Sequence, residues 1–353
     1  MEIIKYEIEV GDTLQSIAEK FNVKVNDLIT FHNSLCGITQ QIIDHHFPVH
    51  LSHLFLDKKW SIPSIASIDE VDRHEFKQDF KYRTEFVVAT KLESILVDNS
   101  TYKSQYHVKL DDERKNIAVI MEENHVSSSP ALVQKGMQLI ADIDKIKCNS
   151  MFQVSPENGK IIRVLNYDEI ISNWKKFKSN FNRQKTVMNF SKSQQDIDNF
   201  ITTVESLIIP EQRLIKDYDT KMFYEVFFNS FLVGKGDFSE GYSKTFYSTL
   251  FDQEPVVLNF TSTIIEENED IIKVRRVSEM DPAAINLKKI IRLYDERIKP
   301  AVHYSFSEYK YSIRETLSWN KNENIWQDTH ITVIEEVKNN VQLLIDFNLK
   351  LIE

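Results

Sequence analysis

Between Tyr6 and Phe21 the apolar pattern switches from the alternation of a strand to the spacing of a helix across three polar residues, and this switch constrains the local fold tightly. Tyr6, Ile8 and Val10 alternate with Lys5, Glu7 and Glu9, which is the pattern of a strand with one buried face. Gly11-Asp12-Thr13 interrupts it. Asp12 or Thr13 can accept the backbone N–H groups left without partners where a helix starts. Leu14, Ile17, Ala18 and Phe21 then fall at i, i+3, i+4 and i+7 and make one apolar stripe. After Asn22, the series Val25, Leu28, Ile29 and His32 predicts a second helix, with Asn26 and Asp27 favourable in its first turn and Asn33 placed to end it. Leu51, Leu54, Phe55 and Leu56 can return as a strand beside the first. The predicted order is strand, helix, helix, strand.

The run Tyr6-Glu7-Ile8-Glu9-Val10-Gly11-Asp12-Thr13-Leu14-Gln15-Ser16-Ile17-Ala18, followed by Phe21, Val23, Leu28 and Asn33, resembles the LysM family. That resemblance implies a small βααβ module over residues 1–56. In modules of this family that hold N-acetylglucosamine polymers, the sugar lies between the loop after the first strand and the loop before the last. Gly11, Asp12 and Thr13 match the first of these walls, and with Asn33 they form the candidate ligand-binding set. The second wall has no residue-by-residue match, because Ser34 to His50 is a longer segment with Phe47-Pro48-Val49 where the family carries a short Pro-Gly turn. Gly11-Asp12-Thr13 reads equally as a turn and helix cap, and both readings stay open. The family also includes modules without an export signal that sit in phage tails and contractile injection machines, gripping tube, spike or cargo.

The same segment carries His32, His45, His46, His50 and His53. His46 and His50 stand at i and i+4, and His50 and His53 at i and i+3, which is ligand-like spacing. Only Asp44 lies close by as a further donor, so no metal centre is expected, and His46, His50 and His53 are the candidates should one exist. A loop whose imidazoles charge near pH 6 and repel one another is an equal reading.

Composition narrows the function. Of 353 residues, 43 are basic and 53 acidic, a formal net charge of −10 that disfavours nucleic acid or an anionic membrane as partner. Cys36 and Cys148 are too far apart in sequence for a metal knuckle or a disulfide framework and are read as buried thiols. Seven glycines leave little material for phosphate-cradling loops, so no cofactor is expected. No apolar run approaches the roughly 20 residues of a membrane span. The start MEIIKYEIEV lacks the character of a secretory signal, so the chain is expected to fold in the cytosol.

Residues 57–80, with Pro63, several serines and mixed charge, read as a linker, and residues 81–353 as one large domain. Strands are predicted at 86–88, 92–97, 102–110 and 116–121, with a turn at Asp98-Asn99-Ser100 between the second and third. A further pair, 143–154 and 160–165, meets at Pro156-Glu157-Asn158-Gly159, a strong hairpin signal. Helices follow at 167–181 and 194–232, the latter broken near Pro210. Strands return at 244–251, 256–265 and 271–277, then a helix at 282–298 opened by Asp281 and Pro282, then strands at 303–319, 326–337 and 341–352. The three strands at 85–125 loosely echo those at 303–352. The fold class is α+β: a βααβ module followed by a large antiparallel sheet, open or closed into a barrel, with helices covering it.

Motifs of nucleophilic, metal or phosphate chemistry are missing from the sequence. Gly234-Lys235-Gly236 reads as the end of the preceding helix, Arg275-Arg276 as ordinary surface, and the adjacent pairs Glu122-Glu123 and Glu335-Glu336 as solvated strand faces. The expectation is a bacterial, non-enzymatic adaptor of a contractile injection or secretion system with a protein partner. A carbohydrate-binding protein for peptidoglycan or chitin-like glycan, or an injected effector whose large domain is an unfamiliar hydrolase or toxin, are the alternatives.

Overall fold

Strand β1 (Ile3–Glu7) lies antiparallel to β2 (His53–Asp57), with Ile4 opposite Leu56 and Tyr6 opposite Leu54. Between them run α1 (Leu14–Lys20) and α2 (Val25–Leu35), so the predicted βααβ order is the observed one. The computed structural model describes residues 3–8, 12–21, 23–36, 40–42, 47–48, 51–57, 60, 76–129, 131–181 and 194–353. The chain divides into two units, Met1–Arg73 and His74–Glu353. Most of the expected linker 57–80 lies outside the described residues, and its last three positions belong to the first strand of the large sheet.

The stripe read from the sequence is the module's core. Leu14, Ile17, Ala18, Phe21, Leu28, Leu51, Leu54 and Leu56 are buried together with Ile42, and each fully buried aliphatic side chain contributes about 1.5–3 kcal/mol. Two expectations fail here. Asn33 does not end α2, which continues to Leu35, because its amide engages Ile42 across the loop instead of competing for the helix backbone. Cys36 is only half-buried, since it falls just past the helix end; Cys148 is fully buried as expected.

The larger unit is built on one antiparallel sheet of eleven strands. Its first meander comprises β3 (Gln78–Leu92), β4 (Ile95–Leu110), β5 (Asn116–Ser129), β6 (Ser150–Val154) and β7 (Ile161–Val164). Its second comprises β8 (Tyr242–Tyr247), β9 (Pro255–Glu267), β10 (Ile271–Met280), β11 (Tyr309–Asn320), β12 (Ile325–Val337) and β13 (Val341–Leu351). The order β7-β6-β5-β4-β3-β13-β12-β11-β10-β9-β8 is open, not closed into a barrel. The meanders join where the unit's first strand pairs with its last, from Leu92 opposite Val341 to Tyr82 opposite Leu351. The echo between 85–125 and 303–352 is thus two strand triplets lying side by side.

Because β7 and β8 are opposite edges, the chain between them must cross the whole sheet. It does so as α4 (Tyr167–Phe181), α5 (Gln194–Ile208), α6 (Glu211–Asp219) and α7 (Met222–Phe227). Their buried stripes, Ile170 and Trp174, Ile197, Ile201 and Val204, Leu214 and Tyr218, Phe223 and Phe227, join the sheet in one core. Phe223 stacks on Tyr106 of β4 at 3.9 Å, Tyr218 meets Phe152 of β6 at 5.0 Å, and Phe231 meets Trp326 of β12 at 5.2 Å. A crossing helix buries its apolar side against the pleated face in this way.

Several local expectations are corrected. The first hairpin turns at Glu93-Ser94, both in the left-handed region (φ 48° and 70°), which is the geometry of a tight two-residue turn. Residues 98–100, expected as the turn, lie inside β4. Residues 143–147 end α3 (Ala131–Lys147) and do not start a strand; Ile143 and Ile146 keep helical spacing, and Asp144 pairs with Lys147 one turn on at 3.1 Å. The helix expected from Pro282 starts later as α8 (Leu287–Arg297), where the Asn286 side chain caps Lys289 N–H, while the Asp281 carboxylate accepts Ala283 N–H in a turn before it. A short α9 (Lys299–Val302) follows. The 156–159 hairpin turn is present, and Gly159 has φ +69°; a Cβ there would stand 2.0 Å from the Asn229 carbonyl oxygen.

Glu335 and Glu336 do face opposite sides of β12, but Glu335 is fully buried, not solvated. It accepts hydrogen bonds from Thr249 N–H (2.8 Å), Leu250 N–H (3.2 Å), the Tyr309 hydroxyl (2.9 Å) and the Ser248 hydroxyl. Burial pushes its carboxyl above the usual range despite these donors.

Candidate functional site

In the module, the turn between β1 and α1 is built from side chains that satisfy one another. Leu14 opens α1, which makes Thr13 the cap: its hydroxyl accepts Ser16 N–H at 3.0 Å, and the Ser16 hydroxyl accepts Thr13 N–H at 2.9 Å. This is the reciprocal capping arrangement with serine at the third helical position. Asp12 beside it is half-buried and accepts the Tyr6 hydroxyl at 2.8 Å, while the Tyr6 ring packs edge-on to Phe21 at 5.6 Å. Gly11 lies outside the described residues. Asn33 is engaged away from this turn, donating to the Ile42 carbonyl at 2.9 Å and accepting Ile42 N–H at 2.8 Å.

His32, read as a helix-stripe residue, is fully buried and links three segments. Its Nδ1 accepts Phe55 N–H of β2 at 3.1 Å, and its Nε2 lies 3.1 Å from the Gln40 carbonyl oxygen. An imidazole that accepts at Nδ1 and donates at Nε2 is neutral. Burial pushes its pKa below the ordinary value. His46 and His50 lie outside the described residues; His53 sits in β2 with its Nδ1 3.2 Å from the Ser52 hydroxyl. Among the described residues no group of three or more His, Cys, Asp or Glu side chains is arranged to hold a metal ion.

In the large unit, α7, the segment 229–240 and strands β8, β10, β11 and β12 line a half-open cavity of about 310 Å³. On β10 the inward positions are Val274, Arg276 and Ser278, so Arg276 points into the core and is 9 % exposed. This overturns the reading of Arg275-Arg276 as ordinary surface, because only Arg275 faces out. Arg276 sits opposite Glu315 in the β10–β11 register, their charged atoms 3.5 Å apart, and its guanidinium lies over the rings of Phe231 (5.4 Å) and Tyr242 (5.5 Å). Burial raises the Glu315 carboxyl above its usual range, with Arg276 opposing. Lys244 pairs with Glu225 at the same cavity.

Gly234-Lys235-Gly236 does not end a helix, since α7 stops at Phe227. The triplet is a turn on the cavity wall, closed by Gly234 N–H to the Phe231 carbonyl at 2.9 Å. A Cβ on Gly236 would stand 2.2 Å from the Phe231 ring, so glycine lets this turn lie on it. The cavity residues were missed because each is unremarkable by type. The available signal was phase: Arg276 keeps step with Val274 and Ser278 on the buried side of its strand.

A second cluster is structural. Lys147 bridges Asp217 (2.7 Å) and Asp144 (3.1 Å), and Lys221 reaches Asp144 at 2.5 Å, tying the end of α3 to α6 and α7. Burial acts against the Asp144 carboxylate, yet the two ammonium groups hold its pKa below the usual range.

Among solved structures, one titled "Lipid-protein interactions in lipovitellin" is similar to 79% of this chain and 26% of that one, at 8% identity and a TM-score of 0.36. This chain therefore spans about a quarter of that chain. No curated protein matches the sequence. Among the described residues no helix is long and apolar enough to cross a membrane. Residues 6–31 match the family model described as the LysM domain, which identifies the N-terminal unit as a LysM module and leaves the rest of the chain outside that match.

Proposed function

We propose that this chain is a non-catalytic binding protein whose LysM module docks it to a protein surface, the tube, spike or cargo of a contractile injection or phage-tail-like apparatus. The supporting observation is how the module uses its polar side chains. Thr13 caps α1, Asn33 pins Ile42 and Asp12 receives Tyr6. Asp12, Thr13 and Asn33 of the candidate set are thus engaged within the module itself, and a small unit with its core packed in this way presents a surface for a folded partner. A second reading has its own support: the LysM match over residues 6–31 favours a peptidoglycan or related N-acetylglucosamine polymer as ligand.

Sedimentation with purified peptidoglycan and affinity purification against tube and spike proteins separate the two. The docking reading expects retention by a tube or spike protein and none by the polymer. Retention by peptidoglycan that is lost in Asp12→Ala/Thr13→Ala replaces it with the glycan reading. Removing the cap costs about 1 kcal/mol, so the variant's unfolding midpoint is measured alongside.

A further inference from the structure

We propose that the cavity of the large unit binds a small amphipathic monocarboxylate, its carboxylate taken by Arg276 and Trp326 and its apolar body lying against Phe231, Leu317 and Ile331. The site is separate from the LysM module and does not depend on what that module docks to.

Two donors carry the inference. The Nε–H of Arg276 and the indole N–H of Trp326 are both buried without a hydrogen-bond partner, and both residues line the cavity. Neither group can accept, so each requires an oxygen, and a buried donor left unmade costs free energy. Both approach one ring. The Arg276 guanidinium carbon lies 5.4 Å from the centroid of Phe231, and the Trp326 ring lies 5.2 Å from the same centroid. Glu315 does not serve the Nε–H: its carboxylate meets the guanidinium at Nη1, 3.5 Å away and at the long end of hydrogen-bond reach, and Nε–H stays without a partner.

Charge and size then select the ligand. The lining holds four cations, Lys160, Lys235, Lys244 and Arg276, and four carboxylates, Glu225, Asp237, Glu240 and Glu315. A phosphate-like dianion would meet those carboxylates with surplus charge, whereas a monocarboxylate brings one charge and two oxygens to two waiting donors, and charge-assisted bonds of that kind are the strong ones. Arg276 is already held between the Phe231 and Tyr242 rings, which removes its side-chain freedom before a ligand arrives. The volume of about 310 Å³ corresponds to the liquid share of about ten waters, and octanoate, with about ten non-hydrogen atoms, matches it on the same scale. Met222, Val226 and Ile313 complete an apolar wall that a fully polar anion would leave unused.

Calorimetric titration of the full chain with octanoate, and in parallel with octanol, tests this. The expected result is saturable binding of one octanoate per chain, with octanol at least about tenfold weaker because it lacks the charge. Trp326→Phe, which keeps a ring and removes the donor, is expected to weaken octanoate about tenfold. Arg276→Gln/Glu315→Gln removes the cation without stranding the carboxylate and is expected to abolish saturation; should that variant fail to fold, Trp326→Phe still decides. No saturation by octanoate, meaning donors served by water only, overturns the proposal. So does octanol binding as tightly, or an unchanged affinity in Trp326→Phe.

Discussion

The two units use buried polar groups in opposite ways. In the LysM module, polar side chains reach backbone groups of distant segments: Asn33 holds Ile42, and His32 holds both Phe55 and Gln40. A two-stranded sheet with two short helices buries too little apolar surface to fix its loops by packing alone, so directional bonds define them. In the large unit, packing fixes the elements, and the buried polar groups are charged anchors beneath it, such as Glu335 with its four donors and the Asp144–Lys147–Asp217–Lys221 cluster. The contrast teaches that a polar substitution in the module should loosen one segment, and one in the sheet should unfold the whole unit.

The sharpest test of that contrast is Glu335→Ala, which orphans four donors beneath the sheet and is expected to cost about 3 kcal/mol or more in the cooperative urea transition of the large unit, followed in the full chain. A cost under about 1 kcal/mol would show that Glu335 is not an anchor. Gly159→Ala comes next. It places a Cβ on the Asn229 carbonyl at a positive φ, and about 2–3 kcal/mol of destabilisation is expected from the same measurement.

Asn33→Ala should cost about 2 kcal/mol and act locally. Amide exchange at Ile42 should accelerate while protection in β3 and β13 stays unchanged; acceleration across both units would erase the distinction between them. The smallest effect is conditional on pH. His32 is held neutral by burial, with a folded pKa below the ordinary 6.5. Above pH 6.5 folded and unfolded forms are both neutral and His32 contributes no pH dependence; below it the unfolded chain takes up a proton that the folded one refuses, so module stability falls on acidification. Protection of Phe55 N–H should therefore drop between pH 7 and 5 in the wild type and flatten in His32→Gln. A flat wild-type profile would remove His32 from the module's supports.

Much of the local structure was legible. The β1–α1 switch is written in the change of apolar period and in a cap acting over three residues. Asn158-Gly159 announces its turn because little else tolerates that backbone, and α4 shows itself in Ile170, Trp174 and Phe177 at helical spacing. The failures have separate causes. Ile143–Lys147 could be taken for a strand because two isoleucines among charged residues do not settle a period. Glu93-Ser94 makes a tight turn without glycine, and so left no signal. Arg276 and Glu335 look like surface by type, and only their strand phase and their covering make them otherwise.

What the sequence determined by itself is therefore whatever depends on neighbours within a turn or a hairpin: element type, caps, tight turns and the identity of the LysM module. The tertiary structure alone decided that the first and last strands of the large unit pair, that four helices cross from one edge of the sheet to the other, and that this crossing encloses Arg276 and Trp326 beside a cavity. The reason is physical. Periodicity tells which side of a strand is apolar, but whether a charged side chain on that side meets water, a partner or a ligand depends on what the chain lays over it, and here that cover comes from residues far away in sequence.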